Sequence, residues 1–199
     1  MNLIAGLGNP GEKYAGTRHN TGFRVIDELT RRWGIEMNRR KFAGLVGNGT
    51  IGGKRVLLLE PMTYMNRSGR SLREAMSFYK LELSGLMVVL DDMALPMGRL
   101  RIRPQGSGGG HNGLANIIDE LGSELFARIR VGIDFAEEGD AVNHVLSTFS
   151  PEQEEIISRA IGRAADAVEC WLDNDIEVAM NKFNSPEEVN DGSNTRSGT

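Results

Sequence analysis

Apolar residues in this 199-residue chain recur with two periods, and their alternation predicts a mixed α/β fold. Leu3-Ile4-Ala5 reads as a first strand. Phe23, Ile26, Leu29 and Trp33 share one helical face, predicting an amphipathic helix over Gly22–Trp33 that packs on a sheet. Phe42–Ile51 and Arg55–Glu60 flank Gly52-Gly53, the pattern of two antiparallel strands joined by a tight hairpin. Ser68–Lys80 puts Leu72, Ala75, Met76 and Tyr79 on one helical face. The wholly apolar run Leu86–Leu90 suits a buried strand that ends at Asp91-Asp92. Gly98–Arg103 and Phe126–Ile133 read as further strands, with a short helix over Gly113–Leu121 between them. Ser150, Pro151 and Gln153 mark a helix start, and Ile157, Ile161, Ala164, Val168 and Trp171 continue its apolar stripe. After that helix the apolar pattern fades: from Ser185 onward only Val189 is apolar, so residues 185–199 are expected to be a disordered tail behind a single domain over 1–184.

Composition adds one sizeable core, at 40% hydrophobic and 25% charged residues. Cys170 is the only cysteine, which rules out an internal disulfide; beside Trp171 in a helical pattern it is expected to be a buried, reduced thiol, and the address cytoplasmic. No charged-then-apolar leader precedes Leu3 and no apolar run approaches about 18 residues, so neither secretion nor membrane spanning is expected. The net charge of −4 conceals an asymmetry: residues 1–133 hold 19 Lys and Arg against 12 Asp and Glu, residues 134–199 only 4 against 15. A basic face on an acidic protein, suited to a polyanionic partner, is therefore compatible with the net charge.

Gly6, Gly8 and Gly11 match the G-x-G-x-x-G spacing of a dinucleotide cradle, but Pro10, Gly11 and Gly16 hold off a helix until about Gly22, and the position for a ribose-binding acid falls near Arg31 and Arg32. What remains is a polar loop carrying Asn9, Tyr14, Thr17, Arg18, His19 and Asn20. If the strands ending at Ala5 and Asp91 are parallel neighbours, the His19 loop and the Asp91 carboxylate meet at one sheet edge, where a carboxylate on one ring nitrogen leaves the other free to take a proton from water. Helix or turn capping is the plainer alternative for both aspartates, equal in weight for Asp92 and of less weight for Asp91. No G-x-S-x-G serine occurs and Cys170 lies far from any histidine, which favours water as the nucleophile. His19, His111 and the Asp91-Asp92 pair lack any metal-motif spacing, so no metal is expected. Asn9, Asn66 and Asn112 follow strands and can hold a peptide backbone or donate to an oxyanion, or simply cap turns. Arg99, Arg101 and Arg103 alternate with apolar residues, as do Arg128 and Arg130, so two arginine rows could face each other as a phosphate clamp or form a solvated sheet face. Tyr64 and Met65 beside Asn66 offer a stacking or apolar platform.

Taken together, the segments GLGNPGEKYAGTRHNTG, PMTYMNRSG, LDDMALPMGRLRIR, GSGGGHNGL and ARIRVGI, in this order, closely resemble bacterial-type peptidyl-tRNA hydrolases, from Leu3 to about Phe183. The resemblance implies a monomeric, single-domain α/β/α sandwich around a mixed, mostly parallel sheet, which hydrolyses the ester joining a peptide to tRNA without a cofactor. It implies His19 as general base and Asp91 as its orienting carboxylate. Asn9, Tyr14, Tyr64, Asn66, His111 and Asn112 would contact substrate, and Arg103 and Arg130 would clamp a tRNA phosphate. Arg103 stands where the family usually has lysine, and Ala94 where it often has a second acid. A non-hydrolytic RNA-binding protein on the same fold is the alternative, against which the intact His19, Asp91 and Asn9 set argues.

Overall fold

A computed structural model of the chain describes residues 1–136 and 139–185. Residues 186–199, on which the expected tail falls, lie outside the described residues. The first strand, β1 (Asn2–Gly6), is followed by the polar loop and then by α1 (Thr21–Trp33). Next come β2 (Arg39–Lys41), β3 (Gly44–Ile51), β4 (Lys54–Pro61), α2 (Ser68–Tyr79), β5 (Leu86–Asp92) and β6 (Leu100–Arg103). The chain continues through α3 (Asn112–Leu121), β7 (Ala127–Gly132), α4 (Ala141–Leu146), α5 (Pro151–Asp173) and α6 (Ile176–Phe183).

Among the described residues the strands form one sheet in the order β2-β3-β4-β1-β5-β7-β6. The central run β4-β1-β5-β7 is parallel, and antiparallel pairings join β2 to β3, β3 to β4 and β6 to β7. Period-two alternation sends Ile4, Val56, Leu58, Met87 and Val89 into a core under α1, α5 and α6. The intervening Leu3, Ala5, Leu57, Leu59, Val88 and Leu90 pack on the other face against α2 and α3. The result is the expected α/β/α sandwich around a mixed sheet, and none of its described helices is long and apolar enough to cross a membrane. The start of α5 carries the capping box read from Ser150 and Gln153, with Pro151 in its first turn, an arrangement contributing about 1 kcal/mol.

Two expectations need correction. The strand expected from Phe42 begins at Gly44, because Phe42 and Ala43 both adopt positive φ (56° and 48°) and make the tight turn between β2 and β3. Phe42 is kept there by its ring, whose centroid lies 5.3 Å from that of Phe78 and 5.8 Å from that of Tyr79. Cys170 is half-buried rather than buried, though free. Gly6 serves packing rather than a nucleotide: a Cβ there would lie 2.2 Å from the Gly22 carbonyl oxygen, and one on Gly22 would lie 2.3 Å from the Leu7 nitrogen. The two glycines let the first turn of α1 sit directly on β1.

Glu60, near the end of β4, is buried on the α1 side of the sheet. Burial, with Asp27 of α1 adding a like charge, pushes its carboxyl from 4.5 up to about 8. The folded chain then keeps a proton that the unfolded chain loses, so this group's contribution to stability is full below about pH 4.5 and is lost as pH rises to about 8. Glu60→Gln cannot ionise. Its Tm is expected to match wild type near pH 4.5 and to exceed it increasingly toward pH 8, by about 2–4 °C per kcal/mol of relieved strain. A Tm difference that does not grow over that range in a thermal-melt series would contradict the assignment.

Candidate active site

His19 lies in a 3-10 turn, Arg18–Asn20, that runs directly into α1. Long-range contacts of its two neighbours hold this turn. Arg18 is buried; it donates from Nε to Ser147 Oγ (3.0 Å), from Nη1 to the Ile133 carbonyl (3.1 Å) and from Nη2 to Gln153 Oε1 (2.8 Å). Asn20 does not cap α1 with its side chain. Instead the Asn9 N–H donates to Asn20 Oδ1 (2.9 Å), and Asn20 Nδ2 donates to the Asn9 carbonyl (3.0 Å), which closes the polar loop on itself.

The parallel pairing of β1 with β5 brings Asp91 to this turn. His19 Nδ1 lies 2.9 Å from Asp91 Oδ1 and 3.0 Å from Oδ2, and Nε2 of His111 lies 3.1 Å from the same Oδ1. Hydrogen bonding assigns the protons. The Leu114 N–H donates to His111 Nδ1 at 3.2 Å, so in the neutral ring the proton sits on Nε2 and points at Asp91. A carboxylate only accepts, so His19 faces it with Nδ1–H and keeps the Nε2 lone pair unshared. Burial alone would push the Asp91 carboxyl up, but His111 and His19 outweigh it and hold the group well below the usual carboxylate range. The anion is therefore present throughout the neutral range to orient both rings, whose centroids are 5.0 Å apart.

The trio opens on a cavity of about 100 Å³, lined also by Asn112, Met93, Val142 and Val145. A larger groove near the opposite ends of the central strands contains none of these side chains, so volume does not locate the chemistry. The ligand atoms of His19, Asp91 and His111 lie within 4.8 Å of one another, close enough to surround a cation. Both rings nevertheless present N–H groups to Asp91. Seating a metal on His111 Nε2 would require moving that ring's proton to Nδ1 and breaking the Leu114–His111 bond.

Other site residues read from the sequence spread outward from this centre. Asn9 Oδ1 accepts from the Met65 N–H at 2.9 Å, tying the His19 loop to the turn that holds Tyr64 and Asn66, while its Nδ2 has no acceptor among the described residues. Tyr64 and Asn66 are exposed, and Tyr14 is half-buried in the same loop as Asn9. Asp92 keeps to its plainer role: Oδ1 caps the Ala94 N–H (2.9 Å), and Oδ2 accepts from Arg130 Nη1 (3.1 Å). Exposed Ala94 thus contributes its backbone to this turn.

The two facing arginine rows are real in register, with Arg101 opposite Arg130 and Arg103 opposite Arg128, but they do not form one clamp. Arg128 is fully buried and spends its donors on the carbonyls of Phe126 (3.1 Å), Glu124 (3.0 Å) and Gly106, anchoring the loop after β6. Arg130 also holds the Ser107 carbonyl at 3.1 Å, whereas Arg103 is exposed. Sequence reading passed over Arg18 and Asn20 as site-builders. Asn20 sits where capping is the default expectation, and the partners of Arg18 are more than 100 positions away in the chain.

A buried carboxylate that orients a histidine with one ring nitrogen unshared, at the carboxyl edge of an α/β sheet, has the geometry to take a proton from water, as a hydrolase requires. The family model described as peptidyl-tRNA hydrolase matches residues 3–191. The chain belongs to the peptidyl-tRNA hydrolase family. It is 52% identical over 184 residues to the peptidyl-tRNA hydrolase of Caldanaerobacter subterraneus subsp. tengcongensis, covering 92% of this chain and 100% of the relative. The Bacillus anthracis peptidyl-tRNA hydrolase is 48% identical, covering 93% of this chain and 100% of its own length. The crystal structure of the Acinetobacter baumannii peptidyl-tRNA hydrolase is similar with a TM-score of 0.89 at 36% identity, over 93% of this chain and 95% of that one.

Proposed function

We propose that this protein hydrolyses the ester that joins a peptide to the 3′ end of tRNA, with His19 as the general base. The observation that carries this reading is the pair of hydrogen bonds by which Asp91 fixes both histidines and leaves His19 Nε2 unshared beside the cavity. Water gives its proton to His19 Nε2 as its oxygen bonds to the ester carbonyl carbon. The tetrahedral intermediate then collapses, the carbon–oxygen bond to the ribose breaks, and the departing ribose oxygen takes the proton back from Nε2. Peptide acid and free tRNA are the products. An ester is activated relative to an amide, so a base and oxyanion donors suffice without a covalent step.

Asn9 Nδ2 and the Asn112 amide are the donors assigned to the peptide and the developing oxyanion, with Asn66, Tyr14 and Tyr64 on the route of the peptide. His111 keeps Asp91 ionised and aligned. Arg103, with what Arg130 can spare from Asp92, takes a tRNA phosphate. The reading requires no cofactor or metal, and it describes a monomer at work in the cytoplasm. A non-hydrolytic RNA-binding role is disfavoured because the His19–Asp91 bond is intact. Incubation with N-acetyl-aminoacyl-tRNA tests the reading: release of N-acetyl-amino acid and intact tRNA is expected, and a substrate left uncut would overturn it.

A further inference from the structure

The chain has three histidines, and one of them, His144, lies on α4, apart from the pair that Asp91 holds. This helix is six residues long and none of its residues is buried. A helix so short has little stability of its own. Its placement nevertheless matters, because Ala141, Val142 and Val145 line the catalytic cavity together with His19, Asp91 and His111. His144 takes no part in that lining. Its Nε2 lies 3.0 Å from the Asp134 carbonyl oxygen and 3.2 Å from that of Ile133. A carbonyl only accepts, so the ring carries a proton on Nε2 and shares it between the two.

The Ile133 and Asp134 peptide groups are a junction of the site. The Ile133 carbonyl also accepts from Arg18 Nη1 at 3.1 Å, and Arg18 directly precedes His19 in the chain. The Ile133 N–H donates to the Asp92 carbonyl and the Asp134 N–H to the Leu95 carbonyl, both at 3.1 Å, so the same junction grips the turn that follows Asp91. Asp134 holds φ at 72°, a left-handed conformation that few non-glycine residues adopt. The end of α4 is tied to the His19 turn as well. The Arg18 N–H donates to the Ser147 carbonyl at 2.9 Å, and Ser147 Oγ accepts from Arg18 Nε (3.0 Å) while donating to the His144 carbonyl (2.7 Å). His144, Ser147, Arg18 and the Ile133 carbonyl thus close a ring of hydrogen bonds between α4 and the turn that carries His19.

We propose that His144 is a positioning residue for the hydrolytic reaction: by tethering α4 to the Ile133 and Asp134 carbonyls, it sets where the Val142 and Val145 wall stands relative to His19 Nε2. That wall decides where the ester carbonyl comes to rest against the attacking water. The proposal rests on the ester-hydrolase reading given above. Without the Nε2 donor the helix keeps only its tie to Arg18 and the partial packing of Val145 on the core. A displacement of about 1 Å in a reacting group is enough to cost up to about 100-fold in rate.

Two substitutions separate the donor from the packing. His144→Gln keeps an amide NH2 that can serve both carbonyls, His144→Leu keeps bulk and donates nothing, and both replacements favour helix at least as well as histidine. The readouts are steady-state kinetics on N-acetyl-aminoacyl-tRNA and amide hydrogen exchange over residues 141–147. His144→Leu is expected to lower kcat about tenfold with KM within a few-fold of wild type. Exchange in α4 is expected to quicken about tenfold in that variant, with the central strands exchanging as in wild type. His144→Gln is expected to bring both readouts back to within about twofold of wild type. Wild-type kcat in His144→Leu overturns the proposal. So does an equal loss in both variants, which would assign the effect to packing of the ring. Exchange separates this claim from the substrate reading. If the wild type leaves the ester uncut, the ester reading falls, while the tether stands on faster α4 exchange in His144→Leu with rescue in His144→Gln and is overturned by unchanged exchange.

Discussion

His19→Ala is expected to lower kcat on N-acetyl-aminoacyl-tRNA by about 10³-fold, the middle of the range for losing a positioned general base, with KM within a few-fold of wild type. The asymmetry between the two constants follows from where His19 sits. Its Nδ1 is committed to Asp91 at 2.9 Å, so the ring's remaining function is at Nε2, on the water rather than on the substrate. The substrate contacts assigned to Asn9, Asn112 and the arginines remain in place. Alanine also leaves Asp91 with His111 as its hydrogen-bond partner, so a thermal melt must accompany the kinetics to separate lost chemistry from lost packing. A variant that is folded and retains wild-type kcat would remove His19 from the mechanism.

Asp91→Asn is expected to cost about 10³- to 10⁴-fold in kcat through the tautomer rather than the charge. An asparagine has one accepting oxygen where Asp91 has two, and His111 cannot adapt, because the Leu114 N–H occupies its Nδ1 and keeps its proton on Nε2. The amide oxygen therefore takes the Oδ1 position to accept from His111, which puts the amide NH2 at the Oδ2 position, 3.0 Å from His19 Nδ1. The ring answers by accepting on Nδ1 and carrying its proton on Nε2, which blocks the lone pair that water needs. The measurement is kcat together with nitrogen NMR of the His19 ring. A protonated Nε2 in the variant at neutral pH is expected, and an unprotonated Nε2 with slow turnover would move the defect elsewhere.

The site was legible in the sequence where one local rule sufficed. A buried apolar run ending in two aspartates placed Asp91 at the carboxyl edge, and β1 and β5 are parallel neighbours as the chemistry required. The hairpin at Gly52-Gly53 and the capping box of α5 were equally local. Elements without periodicity were missed. β2 is three exposed basic residues, and it is a strand only because β3 returns alongside it. α4 is too short to show a face, yet Val142 and Val145 wall the cavity. The arginine rows carried the right alternation but not the partners of each side chain. Period two shows that Arg128 and Arg130 share a face, but the loop carbonyls that bury Arg128 come from Gly106 and Glu124, positions that no spacing rule connects to it. The glycine pattern of the first loop was silent on packing for a related reason, since the demand for Gly6 comes from Gly22, across the α1–β1 contact.

The central claim is that water, deprotonated at His19 Nε2, attacks the acyl carbon without a covalent enzyme intermediate. Single-turnover cleavage of N-acetyl-aminoacyl-tRNA in 18O-labelled water, with quenched samples followed by mass spectrometry of product and protein, tests this most directly. One labelled oxygen is expected in the released acid and none in the tRNA hydroxyl, with the protein mass unchanged at every time point. An acylated protein on the path to product, or label on the tRNA, would contradict it.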